Sequence, residues 1–348
     1  MVLSHATIRE VAERANVSIS TVSRILNGKS GHRASTVESV RRIASEIDRE
    51  EAQSAASLQA PESIGIVMAA FSNFLNTSYN STLISAILEA LTVEGFTTQF
   101  ITRCYSQMNA VFFRNVVRSY RLKGLLIPEF DISYAVSREL ASFGIPVVSI
   151  GNRNGAEMRC NICVDDFSAG CDAATYLWSL GHRSFGFIGM SQLDIGQRQR
   201  LTGFRETIRE LGGRPEDIWI REFRHIGDST TLAALELSRM PERPTALFST
   251  NSLMTQKLIS DLHRLGIDTP EDISIISFEE NGELEFLNTP VTVIAQPTRQ
   301  MGKAAVNALV RLLHGYPVEA RHRLDYALVI RESTRSCKPH NLNTEEKK

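Results

Sequence analysis

Short apolar runs alternate with helical patterns along most of this chain, from Ile64 to Leu313. The runs, such as residues 64–68 and 273–278, are typical of buried strands. Because strands that alternate with helices are joined by crossovers, this order predicts an α/β fold of doubly wound parallel sheets. A second series of such units starting near Asn161 predicts two lobes, with ligands bound in a cleft at the carboxyl ends of the strands.

The first sixty residues follow a different pattern, in which two short amphipathic helices are joined by a tight turn. Thr7 with Glu10 predicts a capping box for the first helix, and Asn16 tolerates the left-handed backbone that a turn requires. Ser18 is predicted to cap the second helix and Gly28 to end it. The residues expected to be buried are Ile8, Val11, Ala12, Ala15, Val22, Ile25 and Leu26.

The outward face of the second helix is short and rich in hydrogen-bonding groups, namely Ile19, Ser20, Thr21, Ser23 and Arg24. A helix that enters a DNA major groove presents such a face. The alternative is a helical hairpin that only packs on its neighbour. Residues 1–60 carry eight basic and seven acidic side chains, a net charge of +1, so the DNA-binding interpretation depends on the motif rather than on bulk charge.

This N-terminal stretch closely resembles the helix-turn-helix of the LacI/GalR family of bacterial repressors. The matching residues are Thr7, Ile8, Val11, Ala12, Ala15, Val17, Ser18, Thr21, Val22, Ser23, Arg24, Leu26, Asn27 and Gly28. The resemblance implies that Ile19, Ser20 and Arg24 contact base edges. It implies phosphate contacts, which set the register on DNA, for Thr7, Ser18, Thr21, Ser23 and Asn27.

A third amphipathic helix is expected after the capping pair Ser35 and Glu38, and the resemblance implies a hinge helix beyond it. The chain departs from the family at residues 48–52, where Asp-Arg-Glu-Glu-Ala replaces the usual Gly-Tyr-x-Pro-Asn turn. Leu58 matches the leucine that the family inserts into the minor groove, although a lone apolar linker residue is the alternative. Ala56 replaces the family's arginine, so minor-groove electrostatics should be weaker.

The resemblance extends over the body and implies a periplasmic-binding-protein-like core with a small effector, often a sugar, in the cleft. This part of the resemblance is based on residues 180–183, 200–204, 270–274 and 331–334. The expected effector contacts are Phe71, Phe74, Arg153, Arg200, Asn251 and Glu279. Each has a structural alternative: the arginines as surface residues, Asn251 as a turn former and the aromatics as core. Gly151 replaces an acidic residue of the family, which favours an anionic effector such as a sugar acid.

The resemblance and the hydrophobic pattern together divide the chain into four parts. We expect a helix-turn-helix domain at 1–50, a hinge helix and linker at 51–61, an effector-binding and dimerisation domain at 62–338, and a polar tail at 339–348. The tail has no apolar heptads, so no tetramerising helix is expected.

Other function classes find little support in the sequence. Five cysteines at scattered positions form no disulfide framework, and the pair Cys160 and Cys163 lacks the further ligands of a structural zinc site. The paired carboxylates Asp165-Asp166 and Glu279-Glu280 are only sequence neighbours, and no glycine-rich nucleotide fingerprint or nucleophile elbow accompanies them. We therefore expect no enzyme, no cofactor and no metal site.

The sequence as a whole predicts a DNA-binding transcriptional regulator, a repressor that binds a near-palindromic operator as a homodimer under control of a carbohydrate-related effector. The absence of a long apolar run and of a secretory signal predicts no membrane association and a cytoplasmic location. The alternatives on the same core are a transporter's solute-binding protein and a sugar-active enzyme. The former would need an export signal and would lack the helix-turn-helix.

Overall fold

The computed structural model divides into two compact units, residues 1–62 and 63–348. The residues that it describes are 5–28, 31, 33–57, 63–69, 78–103, 109–128, 140, 142–151, 160–190, 195–223, 229–278 and 282–337. Among these, no helix has the length and apolar character that crossing a membrane requires.

The first unit consists of α1 (His5–Arg14), α2 (Ile19–Leu26) and α3 (Ala34–Ser57). Their apolar sides meet in one core formed by Val11, Ala12, Val22, Ile25, Val40, Ile43, Ala44 and Ile47. The predicted turn is confirmed, because Asn16 has a φ of 50° and the Val17 N–H donates to the Ala12 carbonyl at 3.0 Å. The core therefore fixes α2 by its buried side and leaves its opposite side to solvent.

Two predicted helix starts are wrong, by three residues for the first helix and by two for the third. α1 begins at His5, so Thr7 lies inside the first turn and does not cap it. α3 begins at Ala34, and the Arg33 carbonyl accepts from the N–H groups of Thr36 and Val37, so Ser35 is not the cap. In both cases an alanine, a strong helix former, lies beside the predicted cap and allows the helix to start earlier.

At residues 48–52, where the family's turn is replaced, the helix does not end, because α3 is continuous over Ala34–Ser57. The packing of Val40, Ile43 and Ile47 in the core offsets the unfavourable free energy of nucleating this helix. Residues 48–57 contain neither glycine nor proline, so propagation of the helix meets no barrier.

The second unit holds two sheets, each with six strands in the described part of the chain. The first sheet has the order β11-β5-β4-β3-β1-β2, with all neighbours parallel. Its strands are β1 (Ser63–Ala69), β2 (Thr97–Arg103), β3 (Leu122–Pro128), β4 (Val147–Ile150), β5 (Cys160–Cys163) and β11 (Arg321–Arg323). The helices α4 (Ser78–Val93) and α5 (Ala110–Ser119) alternate with these strands.

The second sheet has the order β12-β10-β9-β8-β6-β7, in which β12 is antiparallel to β10 and the other neighbours are parallel. Its strands are β6 (Phe185–Met190), β7 (Trp219–Phe223), β8 (Ala246–Ser249), β9 (Ser274–Phe278), β10 (Thr292–Ala295) and β12 (Ala327–Val329). The accompanying helices are α6 (Asp166–Ser179), α7 (Ile195–Glu210), α8 (Ser229–Arg239), α9 (Ser252–Arg264), α10 (Gly282–Glu285) and α11 (Thr298–Leu313), with a 3₁₀ turn at Pro215–Asp217.

The chain passes from one sheet to the other after β5, after β10 and after β11. The expected start of the second series near Asn161 is therefore wrong, because β5 pairs with β4 and β11 in the first sheet. Within that sheet the buried Asn161 amide donates to Ser149 Oγ at 2.8 Å and to the Gly151 carbonyl at 2.7 Å. Periodicity identified this strand, but it does not reveal the partners of a strand.

Candidate nucleic-acid interface and ligand site

The face of α2 opposite its core is open to solvent. Val22 and Ile25 are buried at 0% and 2% exposure, whereas Ile19 is 48% exposed. The other exposed members of this face and its flanks are Ser18, Ser20, Arg24 and Asn27, with Thr21 and Ser23 half-buried. An exposed isoleucine among small hydroxyl side chains gives both an apolar contact and hydrogen-bonding groups on one narrow surface.

Hydroxyl groups cluster at the beginning of α2. Ser18 is the N-cap as predicted, and its Oγ accepts from the Thr21 N–H at 3.2 Å. The same oxygen lies 2.8 Å from Ser20 Oγ and 2.8 Å from Thr21 Oγ1. At the other end of the helix, Asn27 Nδ2 donates to Ser23 Oγ at 3.4 Å. The contacts of Ser18 orient the hydroxyl groups at the helix N-terminus, where the dipole favours anionic groups such as phosphate.

Arg24 lies on this face with an exposed side chain, and no hydrogen bond or ion pair joins it to the described residues. An arginine fork without an internal partner can bond the two acceptors of a guanine edge. The surface thus combines a donor fork, hydroxyls and one apolar side chain, which is the set that groove recognition uses.

Several expected site residues lie outside the residues that the structure describes and stay predictions. They are the side chain of Thr7 and the residues Leu58, Phe71, Phe74, Arg153 and Glu279.

Arg200 is the centre of a buried cluster in the second unit. Its side chain is 7% exposed and its Nε lies 3.5 Å from Oδ1 of Asp166, whose side chain is 6% exposed. The guanidinium carbon lies 3.7 Å above the ring of Phe278. A planar cation held between a carboxylate and an aromatic face has little rotational freedom, so its donors point in fixed directions.

The polar groups beside this cluster are uncharged. Gln197, one turn before Arg200 on α7, is bonded to the hydroxyl of Thr250, which follows β8. On the opposite face of the sheet, Thr255 Oγ1 is bonded to the hydroxyls of Ser249 at 2.7 Å and Ser277 at 2.8 Å. All of these side chains are buried at the carboxyl ends of β8 and β9 or on the helices beside them.

Asn251 is the N-cap of α9, and its Oδ1 accepts from the Met254 N–H at 3.0 Å. This oxygen therefore caps the helix, a local role similar to the turn-forming alternative that the sequence left open beside effector contact.

The carboxyl ends of the two sheets approach each other. Ser78, which begins the helix after β1, donates to Oε1 of Glu283 at 3.5 Å, and Glu283 lies just beyond β9 of the other sheet. Arg200 and Phe278 belong to the second sheet's side of this region. The expected location of ligands at strand carboxyl ends thus contains the buried cluster.

Sequence reasoning missed Asp166, Phe278, Gln197 and Thr250. The helical spacing of Gln197 and Arg200 was a usable signal, because residues three apart share one helix face. Asp166 was noticed only as one of two adjacent carboxylates, and its pairing with α7 is a tertiary contact that spacing does not reveal.

The two cysteines of β5 do not share a site. Cys160 and Cys163 are three residues apart on a strand, so their side chains point to opposite faces of the sheet. Burial and, to a smaller extent, the nearby Cys163 raise the pKa of the Cys160 thiol to about 11, so this thiol stays protonated. Among the described residues, no group of three or more metal-ligating side chains is assembled.

A cavity of about 680 Å³ lies elsewhere, along α9 and residues 268–271 and 287–289. It shares no lining residue with the Arg200 cluster. Its size therefore does not bear on the ligand site at the strand ends.

Comparisons with known proteins agree with both parts of this description. A family profile described as "Bacterial regulatory proteins, lacI family" matches residues 7–48, and one described as "Periplasmic binding protein-like domain" matches residues 174–334. The HTH-type transcriptional repressor CytR of Escherichia coli strain K12 is 27% identical over 338 residues, which cover 95% of this chain and 97% of that protein.

Solved structures share the fold. The transcriptional regulator CelR in complex with cellobiose superposes with a TM-score of 0.69 at 24% identity, covering 94% of this chain and 99% of that one. A lac repressor dimer bound to operator and the anti-inducer ONPF gives a TM-score of 0.69 at 21% identity, with 93% and 98% covered.

Proposed function

Because the chain belongs to the lacI family of bacterial regulatory proteins, we propose that it represses transcription by binding a near-palindromic operator as a homodimer. A small molecule held between the two lobes of the second unit controls that binding. The observation that carries this proposal is the exposed face of α2, fixed from behind by a three-helix core.

In this proposal α2 enters the major groove, and Ile19, Ser20 and Arg24 contact base edges. Ile19 offers only apolar contact, suited to a thymine methyl group, and Arg24 bonds a guanine. Phosphate contacts come from Thr7, Ser18, Thr21, Ser23 and Asn27. Leu58 enters the minor groove next to the recognition site.

The proposed division of labour along the chain keeps DNA binding in residues 1–50, the hinge in 51–61, effector binding and dimerisation in 62–338 and a polar tail in 339–348. The compact units, which separate between residues 62 and 63, support the boundary after the hinge. The continuous α3 crosses the boundary at residue 50, so the described part of the proposed hinge, residues 51–57, continues the third helix.

The effector is proposed to bind at the strand ends beside Arg200, with Asn251, Phe71, Phe74, Arg153 and Glu279 completing the site. CelR, which shares this fold, is described in complex with cellobiose, which supports a carbohydrate-related ligand here. Binding of the ligand changes the relation of the lobes and shifts the population of dimers that fit the operator. Such a regulator acts in the cytoplasm, where the DNA is.

Selection of DNA fragments from a random pool by the full-length protein tests this function. The proposal predicts enrichment of one motif with two inverted half-sites whose centres are about one helical turn apart. Enrichment of no motif, or of a single asymmetric site, would contradict it. A variant that lacks residues 1–62 is the control and should enrich nothing.

A further inference from the structure

The guanidinium of Arg200 and the carboxylate of Asp166 form a charge-balanced pair in the interior of the second unit. Their side chains are 7% and 6% exposed, and the Nε–Oδ1 distance is 3.5 Å. A buried charge without a counter-charge is strongly disfavoured. The charge of each residue therefore offsets part of the desolvation penalty of the other. The two residues come from different helices, Asp166 from the first turn of α6 and Arg200 from the middle of α7.

The contact between Arg200 and Asp166 leaves guanidinium donors that a ligand can use. Arg200 Nε has an ionic contact at 3.5 Å but no aligned hydrogen bond. Phe278 covers one face of the guanidinium at 3.7 Å, so a ligand meets the edge of the plane, where the donors are. Hydroxyl oxygens of an uncharged ligand can accept from that edge while Asp166 keeps the cation neutralised.

An anionic ligand meets a different situation in the same place. Its carboxylate or phosphate would compete with Asp166 for one guanidinium and would be held close to the Asp166 carboxylate in a poorly solvated region. The neighbouring polar pair among the described residues, Gln197 and Thr250, supplies no further positive charge. The described part of the site thus penalises a second negative charge.

We infer that Asp166 is a positioning residue that balances Arg200 and makes the site select uncharged, hydroxyl-rich effectors over their acidic counterparts. The inference rests on the proposed function of the cleft, which it deepens. It opposes the anionic effector that Gly151 and Arg153 favoured at the level of sequence. Removing the charge of Asp166 leaves a buried cation that an acidic ligand can satisfy, so the same change should invert the preference.

Matched neutral and acidic sugars test the inference on the full-length protein. The probes are D-glucose with D-gluconate, D-galactose with D-galacturonate, and cellobiose with cellobionate, each assayed by the shift in Tm that binding to the native state produces. The wild-type protein should be stabilised by the neutral member of at least one pair. Asp166→Asn should change the ratio of the two affinities in favour of the acid by about tenfold or more.

Asp165→Asn is the matched control, because it removes a neighbouring carboxylate that contacts Arg323 at 3.0 Å and caps α6, a role that asparagine retains. It should leave the ratio unchanged, as should Asp166→Glu, which keeps the charge if the Asn variant does not fold. The inference is overturned if the wild type prefers the acids, binds none of the probes, or shows the same ratio as Asp166→Asn. Operator binding is measured separately, so a failure of DNA binding with intact sugar selectivity would refute the proposed function alone.

Discussion

Two arginines show how one side chain takes different roles in different surroundings. Arg24 is exposed on α2 with no partner among the described residues, whereas Arg200 is buried between a carboxylate and a phenyl ring. In the proposed function, the exposed guanidinium of Arg24 bonds an external acceptor and the buried guanidinium of Arg200 is pre-oriented for a ligand. At the level of single residues, the role of an arginine therefore depends on how many of its N–H donors already have partners within the protein.

Replacing Arg24 with alanine should weaken binding to the selected operator by roughly 1–3 kcal/mol and relax the base preference at one position of each half-site. The reason is the loss of a two-point contact with a base edge. Fluorescence anisotropy with a set of single-base operator variants measures both effects. Arg214→Ala, which removes an exposed arginine paired with Asp217 in the second unit, should leave affinity unchanged. An equal loss on every DNA sequence would mean that Arg24 contacts phosphate only.

His182 should make stability depend on pH. Burial lowers the pKa of His182 below its ordinary value of 6.5, and its ring nitrogens lie 2.9 Å from Thr245 Oγ1 and 3.1 Å from Ser274 Oγ. Because the unfolded chain takes up the proton more readily, this contribution is present above pH 6.5 and is lost as the pH falls through the lower, folded-state value.

The free energy of unfolding of the wild type should therefore fall more than that of His182→Gln when the pH is lowered from about 8 to about 5.5. Glutamine keeps a donor and an acceptor at the same place without titrating. Urea denaturation at a series of pH values gives the comparison, in which the other titrating groups cancel. Parallel curves for the two proteins would show that His182 does not contribute.

At the scale of elements, the crossing of α6 and α7 builds the buried Arg200 cluster, which is the proposed ligand site. A Cβ added at Gly170 would overlap the carbonyl of Arg200, and one added at Gly203 would overlap the carbonyl of Phe167. The two glycines let the helices approach backbone to backbone, which brings Asp166 and Arg200 together. The crossing thus links helix packing directly to the geometry of the buried ion pair.

Gly170→Ala should destabilise the protein by about 1–3 kcal/mol and weaken sugar-induced stabilisation further, because the clash pushes α7 and Arg200 outward. Gly282→Ala is the control, since its added Cβ would meet nothing within 4 Å. Urea denaturation and thermal-shift titration of both variants separate the two effects. Gly170→Ala with wild-type stability would show that the helices can separate without cost.

The elements also show what sequence patterns determine. The apolar stripes correctly predicted the core of the first unit and the outward face of α2, because one helix surface is set by local spacing alone. The sequence showed that residues 48–52 replace the family's turn, but the continuation of α3 to Ser57 was not predicted, although good helix formers fill the segment. The strand β7, with charged residues at two of its five positions, and the short strands β10 to β12 were missed because their patterns are weak. Asp166 was missed because its partner is set by the helix crossing.

At the scale of the whole molecule, the proposed function places DNA recognition in the small N-terminal unit and effector binding in the large second unit. The N-terminal unit has a net charge of only +1 over residues 1–60, so one copy gains little from electrostatic attraction to DNA. In the proposed dimer, one copy binds its half-site first, and the binding of the second copy then benefits from a high effective concentration. Operator affinity should therefore depend on the dimer, which is where an effector can act.

The most direct test of this claim is a fluorescence anisotropy titration of the full-length protein on two duplexes. One carries both half-sites of the selected operator and the other has one half-site replaced by unrelated sequence. The account predicts that the replacement weakens binding by at least about tenfold. Equal affinity for the two duplexes would contradict it.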